Sequence, residues 1–366
     1  MARMAQLLAG IPHTVPLSAV NRQCSSGLQA FANVAAAIHS GLYDVGIAGG
    51  VESMSTDDMG SVIPGVNFDV VKAHPGARDC LIPMGVTSEN VASAYGISRE
   101  VQDAFAAASH AKAAAAQKNG FFDAEIVPVE IEVDDEVIRS DPADKRTKKV
   151  LISSDDGVRE GTTIERLSKL RPVFKKGGST TAGNSSQMSD GAAAVLLMRR
   201  SRAQKLGMPI LAILRSYTVV GVPPAVMGIG PAFAIPAALR EAGISIDDVD
   251  VFEVNEAFAS QATYCADQLE IPEDKLNPKG GAIALGHPLG CTVCSLLPMS
   301  YVHNIFYPKC VYFFCLLQGA RQIGTLVHEL HRTNKKYGLV SMCIGTGMGA
   351  AAIFERPQEA GLKARL

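Results

Sequence analysis

The sequence predicts an α/β protein of one large or several smaller domains, on three observations. Residues 15–50 read as strand, tight turn, helix, strand. Two glycine–alanine strands, Gly191–Leu197 and Gly349–Phe354, look like copies of each other. Glycine and alanine are abundant while aromatics are 6% and tryptophan is absent, a composition suited to close packing of helix on sheet.

Taken in order, Val15–Val20 reads as a short strand and Asn21-Arg22-Gln23 as a turn. A helix opens at Cys24 and carries Leu28, Ala32, Val34, Ala35 and Ile38 to a stop at Ser40-Gly41. Val45–Gly50 is a buried strand, so the unit suggests a βαβ crossover. From 52 to 187 glycine, proline and charge are frequent. One amphipathic helix, Glu100–Asn119, stands out there, and Phe121–Glu136 reads as extended, so this stretch is expected to be an inserted subdomain. Beyond it, Val249–Val254 ends in a polar turn that opens a helix, much as Val20 does. Duplication explains this recurrence better than chance. Residues 293–318 are out of character, with three cysteines, many aromatics and the single charge of Lys309. Pro298 and Pro308 break the stretch, so no apolar run is long enough to span a bilayer.

Composition narrows the function. The net charge is −2 with 19% charged residues, which makes nucleic acid and anionic membrane poor partners. Eight cysteines show no paired zinc-type spacing, and Cys291-x-x-Cys294 lacks a second pair, so no metal site is expected. The N-terminus has no apolar signal-peptide core, and the cysteines are read as free thiols.

Four positions carry chemistry. Cys24 lies at a helix N-terminus, where the dipole and free N–H groups favour a thiolate, with Arg22 two residues earlier. His287 lies in Gly280–Gly290, a glycine-rich loop with Pro288 fixing the chain after the imidazole; a thiol nucleophile needs such a base. Cys343 ends a strand that enters Gly345-Thr346-Gly347-Met348-Gly349, a spacing that fails the dinucleotide fingerprint. Asn255, in Val254-Asn255-Glu256-Ala257-Phe258, suits a helix cap or the holding of a water or carbonyl.

In this order, the runs around Cys24, Asn255, His287 and Cys343 resemble the signature segments of the thiolase family, in its peroxisomal 3-ketoacyl-CoA-cleaving branch. The match extends from Met1 to about Thr292 and from Gly319 to about Glu355. The resemblance implies a five-layered αβαβα core built from two similar halves, with an inserted loop domain covering CoA. It places an incomplete N-terminal half at 1–53, the loop domain at 54–188, a return strand at 189–204 and the C-terminal half at 205–366, interrupted by an insertion at 293–318. Cys24 would be the acyl-accepting nucleophile, His287 its base, and Cys343 the acid and base at the leaving carbon and at the incoming thiol. One oxyanion site would use His287 and a water on Asn255, the other the N–H groups of Cys24 and Gly345. CoA would lie against Met84 and Ser186, as co-substrate with no cofactor held permanently. The implied assembly is a homodimer, and the implied location is the peroxisome, to which Ala364-Arg365-Leu366 conforms as an address.

Two departures bear on activity. Family members carry a further βα unit before the position of Met1, and the insertion falls where a helix should follow the His287 loop. A displaced imidazole would lower activity by orders of magnitude, so low or no activity is expected of this chain as it stands, and an impaired variant acting in binding or subunit exchange is an alternative. The other is an acetoacetyl-CoA-forming biosynthetic enzyme with the same machinery.

Overall fold

The computed structural model of the chain describes residues 2–55, 66–134, 147–288 and 318–357. The first elements are α1 (Ala2–Leu8), α2 (Ser26–His39) and β1 (Val45–Ser53). Next come α3 (Phe68–Ala73), α4 (Pro75–Asp79), α5 (Met84–Tyr95), α6 (Arg99–Lys118), β2 (Val129–Asp134), β3 (Thr147–Ile152) and α7 (Ile164–Leu167). After β4 (Asp190–Met198), α8 (Arg200–Leu206) and β5 (Ile213–Gly221), a 3-10 turn at Pro224–Ile229 leads into α9 (Gly230–Ala242). The chain closes with β6 (Val251–Val254), α10 (Ala259–Gln268), α11 (Ala282–Leu285), α12 (Gln318–Arg332), β7 (Tyr337–Ile344) and β8 (Met348–Glu355).

Strand β1 runs antiparallel to β4, with Ala48 opposite Val195 and Gly50 opposite Ala193. The second sheet has the order β5-β8-β7-β6, in which β7 is antiparallel to β8 and parallel to β6. Helices α2 and α12 lie between the two sheets. Leu28 and Phe31 of α2 and Ile323, Leu326 and Leu330 of α12 share one core with Ala48, Val195, Met342 and Phe354 of the strands. On the far side of the second sheet, Ala234, Ile235 and Ala238 of α9 pack on Phe252, Leu339 and Ile353. Strand β8 shows why its sequence is an unbroken apolar run. Ala350, Ala352 and Phe354 enter the first core while Ala351 and Ile353 enter the second, at the two-residue period of a strand. The described layers are thus sheet, helix, sheet, helix. On the outer face of the first sheet Val45, Ile47 and Val51 are exposed.

The same arrangement occurs twice. Helix α2 feeds β1, which pairs antiparallel with the glycine–alanine strand β4; helix α12 feeds β7, which pairs antiparallel with the glycine–alanine strand β8. Between β1 and β4 the chain makes α3 to α7 and the hairpin β2–β3, and it sets α5 and α6 against α10.

Local readings mostly hold. Helix α2 buries Leu28, Phe31, Ala32 and Ile38 and ends at Gly41, whose φ of 79° is the left-handed geometry that glycine tolerates. Helix α6 starts with Ser98 capping the Val101 N–H. Other readings are corrected. Val15–Val20 forms no strand: it has no ladder partner among the described residues, and Arg3 and Gln6 of α1 bind the Val15 carbonyl instead. The unit around α2 therefore has no first strand there. Among the described residues of Phe121–Glu136, which end at Asp134, only Val129–Asp134 is a strand, because Glu125 and Ile126 donate back to the Phe122 carbonyl and hold the preceding backbone in a turn. Apart from Gln318, the 293–318 segment lies outside the described residues, as does Ala364-Arg365-Leu366.

Candidate active site

Cys24 stands two residues before α2, in a turn closed by the Ser25 N–H to the Arg22 carbonyl at 3.0 Å. Gln23 beside it has φ 49°, a conformation that costs a non-glycine residue about 1–2 kcal/mol. Burial pushes the Cys24 thiol up, against the pull of the Gly345 N–H and its own N–H, and Glu52 pushes it further up. Two sequence expectations change here. The helix terminus does not leave a depressed thiol, because desolvation outweighs the N–H donors. Arg22 does not serve the thiol either; its guanidinium bonds Gln29 and meets the Met348 sulfur at 3.5 Å.

Cys343 lies in β7 just before the turn to β8, fully buried with Met227, Ala257 and Phe258, and Met84 packs on this group. Thr346 in the turn has φ 70°, and Gly347 has φ 94° with the Val222 carbonyl 2.4 Å from where a Cβ would stand. Gly347 is therefore required by conformation and by space. Burial pushes the Cys343 thiol well above the ordinary range, and Cys24 and then Cys265 push it further up. Strained backbone thus flanks both thiols, at Gln23 and at Thr346.

Asn255 follows β6, with its N–H on the Ser341 carbonyl at 2.9 Å, and Asn255 Nδ2 lies 3.2 Å from His287 Nε2. Both residues are buried. Asn255 Oδ1 and His287 Nδ1 have no hydrogen-bond partner among the described residues, so the pair retains polar capacity for a ligand. Burial, and then the Arg321 cation, push the imidazole down to about 3. At neutral pH it is uncharged.

Met84 opens α5, and its sulfur lies 3.6 Å from where a Cβ on Gly345 would stand. Ser186 donates its N–H to the Ala257 carbonyl at 3.0 Å. Both therefore border the Cys343 cluster. The structure gathers Cys24, Gly345, Cys343 and Met84 on one side and Asn255 with His287 on the other. The short run Asn255–Phe258 joins the two groups.

Sequence reasoning passed over Glu256, Gln187, Glu52 and Arg321. Glu256 and Gln187 adjoin singled-out residues, and that adjacency was their only signal. Glu52 and Arg321 act on the site only through the fold.

A half-buried and a buried thiol, backbone N–H donors on the first, a neutral imidazole and an amide suit covalent acyl transfer through sulfur. Among the described residues no group of His, Cys, Asp and Glu could hold a metal, and no helix is long and apolar enough to cross a membrane.

Comparison with known proteins agrees with this chemistry. The family model "Thiolase, N-terminal domain" matches residues 1–201, and "Thiolase, C-terminal domain" matches 208–305 and 316–356. The break in the second match falls inside the segment read as an insertion. The rat peroxisomal 3-ketoacyl-CoA thiolase B is 60% identical over 358 residues, 98% of this chain and 76% of the relative. The human peroxisomal 3-ketoacyl-CoA thiolase is 58% identical over 359 residues, with 98% and 76% covered. Among solved structures, the dimeric peroxisomal thiolase of Saccharomyces cerevisiae superposes with a TM-score of 0.80 at 45% identity, over 97% of this chain and 80% of that one. The human mitochondrial 3-ketoacyl-CoA thiolase in complex with CoA gives 0.78 at 35% identity, over 97% and 82%.

Proposed function

Because this chain belongs to the thiolase family, an acetyl-CoA C-acyltransferase of peroxisomal β-oxidation that cleaves 3-ketoacyl-CoA with CoA, we propose that Cys24 is the residue that carries the acyl group. The observation that supports this best is the seating of the Cys24 turn against the turn that follows Cys343: Gln23 Cβ lies 3.9 Å from where a Cβ on Gly345 would stand, and the Gly345 N–H faces the Cys24 sulfur.

The Cys24 sulfur attacks the 3-keto carbon as its proton passes to His287. With both thiols raised and the imidazole held down, no thiolate rests in the site, so attack and proton transfer go together. The alkoxide collapses, the bond between C2 and C3 breaks, and its electron pair becomes the enolate of acetyl-CoA. Cys343 protonates that carbon and acetyl-CoA leaves. The Cys343 thiolate then takes the proton of an incoming CoA thiol. The CoA sulfur attacks the acyl–Cys24 thioester, and an acyl-CoA two carbons shorter departs while Cys24 regains its proton. Charge on oxygen is met in one step by His287 with a water on Asn255, and in the other by the N–H groups of Cys24 and Gly345.

CoA enters as co-substrate, along Met84 and Ser186, under the segment 54–188 acting as a loop domain. No cofactor is held permanently. The chain works as a homodimer, in keeping with the dimeric yeast relative.

The test uses the full chain with a medium-chain 3-ketoacyl-CoA and CoA, following acetyl-CoA formation. Cys24→Ala is expected to lower turnover by about 10⁴-fold or more. Without CoA, the unsubstituted protein should gain one acyl group on Cys24 by mass. Full turnover by the Cys24→Ala variant would sink the proposal.

A further inference from the structure

Glu256 is buried beside Asn255, and only donors face its carboxylate. Ser109 Oγ of α6 donates at 2.6 Å, Asn277 Nδ2 at 2.7 Å and the Ile283 N–H of α11 at 3.2 Å. Each donor is itself fixed. Ser109 Oγ accepts the Gly281 N–H at 3.1 Å, and Asn277 brackets Val254, accepting its N–H and donating to its carbonyl at 2.9 Å each. The His287 loop is pressed onto the carboxylate at Gly281, where a Cβ would stand 2.3 Å from Glu256 Cδ. The far end of the same loop is closed by Gln187. Its Nε2 donates to the Ile283 and Ala284 carbonyls at 3.0 and 3.2 Å, and its own carbonyl accepts the His287 N–H at 2.9 Å.

From this geometry we propose that Glu256 is a positioning residue for the reaction: one carboxylate holds the Asn255 turn and the start of the His287 loop in a common frame, with Gln187 closing the loop's end. The proposal rests on the thiolytic reading above. A carboxylate suits the place because three donors converge on it and no acceptor does. A glutamine would turn an NH₂ group against a buried donor. Burial pushes the Glu256 carboxyl up, while Ser109, Asn277, the Ile283 N–H and Arg321 pull it down. The frame also explains how His287 stays beside Asn255 although residues 293–318 follow so soon after it: each of these bonds comes from a residue before 289.

The test is a coupling measurement on the full chain. Glu256→Gln is expected to lower kcat for thiolysis about 10²-fold, with KM for the 3-ketoacyl-CoA changed less than about threefold. The pair Glu256→Gln with Asn255→Ala should be no slower than the worse single variant, since both act on the same contact. If Glu256→Gln does not fold, Ser109→Ala removes one donor alone and should show a smaller kcat loss with the same non-additivity. Additive losses, or a change confined to KM, would overturn the inference. Alkylation of Cys24 by iodoacetamide supplies a readout that needs no thiolysis. Glu256→Gln should slow it as His287→Asn does, and combining the two should slow it no further; alkylation at the unsubstituted rate would overturn the inference. A lack of thiolysis in the unsubstituted protein would instead remove the thiolytic reading and leave alkylation to decide this one.

Discussion

His287 is held neutral by its surroundings, and that sets how the protein answers to pH. Burial and the Arg321 cation lower it to about 3, so the uncharged form persists down to about that pH rather than to 6.5. The acidic limb of kcat/KM in the free protein should therefore show no inflection near 6.5 between pH 5 and 9. A limb centred there in a pH–rate profile, absent in His287→Asn, would contradict the assignment. The residues proposed to bear chemistry were legible because Asn255 and Cys343 end recognisable strands, His287 sits among glycines and Cys24 stands just ahead of a helix. Glu256 was not, because a carboxylate one residue beyond an asparagine reads as an ordinary charge near a helix start. Arg22 misled for the opposite reason. Nearness in sequence suggested an effect on the thiol, while Gln29 and Met348 draw the guanidinium aside.

At the scale of elements, a tight crossing lies where α9 begins against β8. A Cβ on Gly349 would fall 2.3 Å from the Gly230 carbonyl carbon, and one on Gly230 would fall 2.4 Å from the Met348 carbonyl oxygen. Backbone meets backbone there, so neither side can yield by a rotamer change. Gly349→Ala should lower stability by about 1–3 kcal/mol, measured by urea denaturation. It should also disturb the β7–β8 turn that carries Gly345; unchanged stability would show that the crossing can open. Strands β1, β4, β7 and β8 and helices α2 and α6 were readable because each repeats its apolar residues at its own period, or fills both faces of a buried strand. Val15–Val20 has a strand's composition, yet a strand needs a neighbour to bond, and sequence alone does not say whether one is alongside.

For the whole molecule, charges from distant segments meet in one interior cluster. Lys279 pairs with Glu125 at 3.4 Å, both buried, and Arg321 stands 3.9 Å from Glu253. Burial raises Glu253 to about 8, against the pull of Arg321 and Lys279, with Glu125 and Glu329 adding to the rise. The folded chain thus holds a proton there that the unfolded chain, with a carboxyl near 4.5, releases. Stability from this group is present below about pH 4.5 and is lost as pH climbs through 8. Glu253→Gln removes the titration, so the variant should gain on the unsubstituted protein between pH 5 and 8 in paired denaturant melts. A difference independent of pH would refute this. No such cluster was readable in the sequence, because its members come from four separate stretches. The α/β class and the doubled plan were readable, since the glycine–alanine strands recur. The two sulfurs raise a last point about synthesis. Cys24 is made well before Cys343, which follows only with β7. Cys80 and Cys265 are made between them, so the proposed acyl acceptor shares the nascent chain with other free thiols before Cys343 joins it. Truncation before β7, by a stalled ribosome or a protease, yields a fragment with the proposed acyl acceptor but without its partner sulfur.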